Sequence, residues 1–309
     1  MSPDRPKDSD ARTGAAARKV SVEVEGRTLT LSNLDKVLYP AAGFTKARVI
    51  DYYLRIAPAL LPHIAGRAVT IKRYPEGVDG EFFYQKNAPA HRPAWVPTAR
   101  IASPGSTKSR ETIEYLLGGD LPTLIWAANL AALELHTPMW RYPAFGEPDL
   151  VVFDLDPGEP ATVVECCQVA LLLRPLLTGL GLEPAAKTSG GKGMQLYAAV
   201  SAMTSQQTSD LAKQLAEELE SAHPELVVSK MTKALRPGKV LIDWSQNNAA
   251  KTTVAPYSLR ARSQPTVSTP VSWDEVGRCR RAADLVFTAD DVAGRVEEFG
   301  DLFAVTLPA

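Results

Sequence analysis

Apolar and polar residues alternate through "KVSVEVEGRTLTLSN" (19–33) on either side of Glu25-Gly26, which predicts a β-hairpin. Thr45 then stands as a cap before "KARVIDYYLRIAPALLPHI" (46–64), whose apolar residues recur at helical spacing. "AVTIKRY" (68–74) reads as a strand, and "PEGVDGEFFYQKNAP" (75–89) as a glycine-rich loop carrying aromatics. The longest apolar stretch, "LPTLIWAANLAALEL" (121–135), reads as a buried helix leading to a strand in "ALELHTPMW" (132–140). It is too short to span a bilayer and ends in charged residues, so no membrane partner is expected.

The apolar run "VVFDLDPGE" (151–159) is a strand that Pro157-Gly158 stops. A helix is predicted over 160–181, ending at Gly179 or Gly181, and two strands about a glycine turn over 183–200. A further helix over 205–224 leads to the strand "KVLID" (239–243), and 272–300 reads as helical. The order is mixed, which gives an α+β class: helices packed on a mixed sheet, with an N-terminal subregion. The expected division is a mobile tail at 1–18 and one domain over 19–309. Within that domain the subregion covers about 19–120, a catalytic palm about 121–265 and a helical segment about 270–309.

Composition narrows the class only a little. At 309 residues and 45% hydrophobic the chain has ample material for a core, and its formal charge of −1 means that any nucleic-acid site must be a local patch. Cys166, Cys167 and Cys279 show no paired spacing, which suits a reducing cytoplasm better than a disulfide framework.

Candidate chemistry centres on three aspartates. In an extended segment i and i+2 project to one face, so Asp154 and Asp156 point the same way at a strand end, and Asp243 closes a second apolar strand. A turn-forming Asp-x-Asp before Pro-Gly is often only a solvated strand end. A second strand with the same ending shifts the balance to a divalent-metal site, because clustered carboxylates repel one another unless a cation holds them. "SGGKG" (189–193) sets glycines around Lys192, so the backbone can approach an anion; a plain glycine hairpin is the competing reading. Lys230, Lys233, Arg236, Lys239, Lys251, Arg260 and Arg262 crowd around Asp243, joined by Lys72 and Arg73, as phosphates would require. Phe82, Phe83 and Tyr84 read equally as core anchors or as platforms for stacked bases. His136 shares a strand face with Glu134, and its spacing alone assigns it no role.

These blocks, with "LSNLDKVLYP", "GFTK", "IKRYPEGVDGEFFYQK", "LELHTPMWR", "VLIDWSQN" and "KTTVAPYSLRAR" in the same order, resemble the polymerase domain of bacterial ligase D, in the archaeo-eukaryotic primase superfamily. The resemblance runs from about Val20 to the C-terminus. It implies a primase-type palm with an RRM-like sheet, and template-directed nucleotidyl transfer with two Mg²⁺ or Mn²⁺ ions and NTP or dNTP, NTPs being favoured. By motif, Asp154, Asp156 and Asp243 look like the metal triad. Ser189, Lys192, Lys72, Gln246, Arg260 and Arg262 look like triphosphate contacts, and His136 resembles the histidine beside the incoming sugar and phosphates. Lys36 and Lys46 resemble the pair that grips a 5′-phosphate at a gap or broken DNA end, and Phe83 and Tyr84 a template-contacting Phe-Phe pair. Two departures stand out: tyrosine at the second aromatic position, and Gln195 where the family often has histidine.

No nucleotidyl-lysine KxDG motif is present, so the expectation is a stand-alone polymerase domain working with Ku and a separate DNA ligase, in the bacterial cytoplasm at the nucleoid. A metal-dependent phosphohydrolase using the same triad, a non-catalytic DNA-end binding module and a priming enzyme are the competing functions.

Overall fold

The computed structural model of the protein describes residues 19–102 and 111–308. The expected tail, 1–18, lies outside the described residues. The hairpin forms from β1 (Lys19–Val24) and β2 (Arg27–Ser32), with Glu25 and Gly26 both at positive φ as a two-residue primed turn demands. A second ribbon, β3 (Val37–Tyr39) with β4 (Phe44–Thr45), leads into α1 (Lys46–Ile64), where the Thr45 side chain accepts from the Arg48 amide.

Next come β5 (Ala68–Arg73), β6 (Phe83–Gln85), β7 (Thr98–Ala102), β8 (Thr112–Leu117), α2 (Leu121–Asn129) and β9 (Ala132–Thr137). Two expectations are corrected here. The apolar run 121–135 is not one helix: α2 ends at Asn129, Ala131 turns the chain at φ 58°, and the remainder pairs with β5. A segment apolar on every side suits a buried helix and a buried strand alike, and the ladder available from β5 decides. The aromatic loop is likewise partly strand, because β6 pairs with β5 and sets Tyr84 opposite Lys72.

The chain continues through β10 (Leu150–Pro157), α3 (Val163–Gly179), β11 (Pro184–Thr188), β12 (Met194–Ala199), α4 (Ser205–Ala222), β13 (Val227–Val228), β14 (Val240–Asp243), β15 (Thr253–Val254), β16 (Pro270–Val271), α5 (Trp273–Arg278) and α6 (Ala289–Phe299). The predicted helical run 272–300 is two helices, each opened by its own capping box, Ser272 with Glu275 and Thr288 with Asp291.

Two six-stranded sheets result. The palm sheet runs β13-β14-β10-β12-β11-β16, parallel only between β13 and β14. The other runs β15-β9-β5-β8-β7, with β6 also on β5. It draws on residues 68–137 and 253–254, so two of its strands, β9 and β15, come from beyond residue 120.

Period-2 alternation distributes the palm residues. Val151, Phe153 and Leu155 enter the core with Leu173 of α3 and Leu215 of α4, whereas Leu150 and Val152 join Tyr197 and Phe303 in a smaller cluster on the opposite face. That second face becomes acidic at Asp154 and Asp156. Where β14 ends, the Asn247 side chain accepts from the Val152 amide at 2.9 Å and donates to the Val152 carbonyl at 2.8 Å, completing the ladder that the missing strand residues would have supplied. Arg67, buried in the interior, meets Asp149, which also holds Arg141. Among the described residues no helix is long and apolar enough to cross a membrane.

Candidate active site

Asp154 lies directly opposite Gln195 on β12 and Asp243 on β14, and Gln195 lies opposite Lys187 on β11. Opposed residues share a face, so Lys187, Gln195, Asp154 and Asp243 form one row across four strands, with Asp156 two residues further along β10. Lys187 is fully buried and donates to the Gln195 side-chain carbonyl, to the Val254 carbonyl at 3.0 Å and to Ser268 Oγ at 2.7 Å. Gln195 Nε2 donates to Asp154 Oδ1 at 3.0 Å. Asp243 Oδ1 accepts from the Ser245 amide at 3.0 Å and its Oδ2 from Gln246 Nε2 at 2.8 Å, while Arg236 reaches Asp156 Oδ2 at 3.4 Å.

Burial pushes the Asp154 carboxyl up to about 6 against the pull of the Gln195 hydrogen bond, and the like charges of Asp243 and Asp156 add to the rise. Among the described residues no three His, Cys, Asp or Glu side chains are gathered so as to enclose a metal ion, the outer carboxylates being turned onto Arg236, Ser245 and Gln246. The donor set still fits a divalent cation. Three hard carboxylates share one face, two of them cross-strand neighbours, and their mutual repulsion is the penalty that Mg²⁺ or Mn²⁺ removes.

The "SGGKG" turn joins β11 to β12 at the rim of the same sheet. Ser189 Oγ accepts from the amides of Gly191 and Gly193, each at 3.2 Å, which leaves its own O–H to donate outward. Arg260 Nη1 donates to the Ser189 carbonyl. Both arginines press on the glycines: a Cβ on Gly190 would lie 2.6 Å from Arg260 Cγ, and one on Gly191 2.7 Å from Arg262 Nη2. Lys192 forms an exposed ion pair with Glu159.

The second sheet offers its own row, which Arg260 links to the Ser189 carbonyl. Lys72 lies opposite both Tyr84 and Glu134, and Glu134 Oε2 accepts from His136 Nε2 at 2.9 Å. Glu134 Oε1 accepts from the Ala261 amide at 3.1 Å and lies 3.5 Å from Arg260 and 4.0 Å from Lys72. Burial would raise the Glu134 carboxyl, but the His136 hydrogen bond and Arg260 overcome it and hold it down at about 2. The Lys72 ammonium also sits 4.1 Å above the ring of Phe82. The Tyr84 hydroxyl meets Thr252 Oγ1 at 3.1 Å, and its ring stands edge-on to His136.

Phe83 pairs with Arg73, so it takes the other face of β6 from Tyr84; both rings are exposed. Lys36 is ion-paired with Glu76, and the buried Lys46 donates to the Ser32 and Asn129 carbonyls, each at 2.8 Å. Burial chiefly, then the charges of Lys36 and Arg73, lower the Lys46 pKa. Lys187, Glu134, Arg73 and Arg236 carry more of this geometry than their sequence positions suggest. For Glu134 the i, i+2 spacing to His136 was the available signal.

The family model "LigD, primase-polymerase domain" matches residues 45–303. The chain is 47% identical over 277 residues to the multifunctional non-homologous end joining protein LigD of Mycolicibacterium smegmatis, covering 89% of this chain and 35% of that protein. It is 34% identical to the bifunctional LigD of Bacillus subtilis, covering 88% and 43%. The chain thus spans well under half of the curated relatives it matches. A solved polymerase domain from Mycobacterium tuberculosis ligase D, in complex with DNA, superposes with a TM-score of 0.83 at 42% identity, covering 89% of this chain and 96% of that one. With its family model spanning most of the sequence, the chain belongs to the LigD primase-polymerase domain family.

Proposed function

We propose that the protein is a DNA-directed nucleotidyltransferase that extends a primer 3′-OH at gaps and broken ends, joining it to the α-phosphate of a templated nucleotide with pyrophosphate leaving. The observation that carries this is the facing pair Asp154 and Asp243, with Asp156 beside them and an arginine-braced glycine turn at the same sheet rim. A phosphohydrolase needs the carboxylates but not the turn.

Asp154, Asp156 and Asp243 hold two Mg²⁺ or Mn²⁺ ions in this reading. Such ions, when bound, lower the pKa of the attacking hydroxyl and offset charge on the polyphosphate. Ser189, Lys192, Arg260, Arg262, Lys72 and Gln246 bind the triphosphate, and the arginines and lysines stabilise the charge that builds on it during transfer. Lys192 is free to do so because an exposed pair such as Lys192–Glu159 contributes little and yields to a polyanion. His136 lies by the sugar, and NTPs are favoured. Tyr84 and Phe83 support the template from the two faces of β6. Lys36 and Lys46, with Arg73 beside them, take the 5′-phosphate across the gap. In this reading the protein works in non-homologous end joining at the nucleoid, with Ku and a DNA ligase as partners; relatives named for that repair process support the first part.

Extension of a gapped, 5′-phosphorylated DNA with Mn²⁺ and either NTPs or dNTPs tests this reading. Templated addition by the wild type, lost in Asp243→Asn while DNA binding persists, is the expected result. Tight binding with no addition under any metal overturns it in favour of an end-binding module.

A further inference from the structure

Three side chains assigned above to the nucleotide, Lys72, His136 and Arg260, converge on a fourth group that none of the expected roles uses: the carboxylate of Glu134, 3% exposed. Its two oxygens have separate duties. Oε1 takes the Ala261 amide and faces both cations, and Oε2 takes His136 Nε2. An ionised carboxylate has no proton to give, so the imidazole must supply the one in this bond, and Nε2 carries hydrogen. The Glu134 carboxyl, held at about 2, is ionised throughout the neutral range. Burial lowers the His136 pKa below its ordinary value against the pull of Glu134, with Arg260 and Lys72 adding to the fall, so the ring is neutral. In a neutral imidazole with hydrogen on Nε2, Nδ1 is a lone pair. Nδ1 has no hydrogen-bond partner among the described residues.

We propose that Glu134 is a positioning residue that fixes His136 in the Nε2–H tautomer, so that Nδ1 can only accept and recognises a sugar hydroxyl of the nucleotide rather than a phosphate oxygen. The inference rests on the nucleotide-binding reading and deepens it. A phosphate oxygen is itself an acceptor and cannot satisfy a lone pair, whereas a hydroxyl donates to it.

Glu134→Gln makes a sharp test because it keeps shape and changes donors. The amide oxygen belongs where Ala261 N–H, Arg260 and Lys72 already point, which turns the NH₂ toward His136. Nε2 must then accept, and the hydrogen moves to Nδ1. The tautomer is read directly by ¹⁵N long-range NMR of histidine-labelled protein at pH 7.5, with His136→Gln identifying the signal among four histidines. The wild type should show hydrogen on Nε2 and Glu134→Gln hydrogen on Nδ1. In single-nucleotide addition the variant should raise KM for NTP about tenfold more than KM for a 2′,3′-dideoxynucleotide, the worth of one hydrogen bond, because any change at Arg260 and Lys72 acts on the triphosphate of both. A merely structural Glu134 would weaken both nucleotides together and leave the tautomer alone.

Hydrogen on Nδ1 in the wild type overturns the proposal without needing any variant to fold. So does a Glu134→Gln protein whose NTP and dideoxynucleotide KM values move in parallel while wild-type addition remains templated, and in that case the polymerase reading stands. A wild type that adds neither nucleotide overturns both.

Discussion

The same carboxylate should govern part of the acid sensitivity of the fold. The Glu134 carboxyl is brought from an ordinary 4.5 to about 2: burial opposes the change, and the His136 hydrogen bond, Arg260 and the Ala261 amide more than offset it. A tenfold change in proton affinity is worth about 1.4 kcal/mol, so the charged form contributes about 3 kcal/mol of stability at neutral pH. The folded state holds its proton more weakly than the unfolded chain, so the contribution is complete above 4.5 and is lost as pH falls from there towards 2. Urea unfolding followed by tryptophan fluorescence, for wild type and Glu134→Gln at several pH values from 7 to 3, isolates this one group. The wild type should exceed the variant by about 3 kcal/mol at pH 7 and by less than half of that at pH 3. A difference that does not change with pH would refute the assignment of Glu134 as an ionised, charge-compensated group.

Gly190 sits at φ +65°, and a Cβ there would lie 2.6 Å from Arg260 Cγ and 2.7 Å from the Val267 carbonyl. Gly190→Ala should therefore raise KM for the nucleotide at least about tenfold by displacing Arg260; Gly26→Ala, also at positive φ but with nothing within 4 Å, should leave KM unchanged in the same assay. Lys36 and Lys46 should separate in fluorescence-anisotropy titrations on 5′-phosphorylated gaps. Lys36→Met should weaken binding and lower the salt slope by about one with Tm unchanged, whereas Lys46→Met should also lower Tm, since its ammonium satisfies two backbone carbonyls.

What the sequence made legible was local. The i, i+2 spacing of Asp154 and Asp156 and the Pro-Gly stop set them on one face, and the like ending at Asp243 marked a second strand. The facing of Asp154 and Asp243 was not legible, because register between strands nearly ninety residues apart depends on the whole sheet. Arg73 shows the same limit: adjacent to Lys72 in sequence, it turns to the opposite face of β5 and joins Lys36 and Lys46 instead. Lys187 shows it most plainly. In "AAKTSGGKG" it looks like a solvated lysine at a strand end, yet Val254 and Ser268, brought over it from distant segments, bury it completely. Only its two-residue spacing from Ala185, on the face of the small apolar cluster, hints at an inward side chain.

Lys187 also accounts for the departure at position 195. Its ammonium can only donate and the Asp154 carboxylate can only accept, so the residue between them must accept on one side and donate on the other. A glutamine amide does this, and its reverse orientation would set NH₂ against NH₃⁺ and oxygen against oxygen. A neutral imidazole has the same one-acceptor, one-donor polarity, so glutamine conserves the hydrogen-bond pattern that histidine would supply. Gln195→His should then leave Mn²⁺ binding, read from the free-ion EPR signal, within about twofold, whereas Gln195→Leu, which strands both neighbours, should weaken it about tenfold or more. Equal losses in the two variants would mean that the size of the side chain, rather than its hydrogen-bond polarity, holds Asp154 in place.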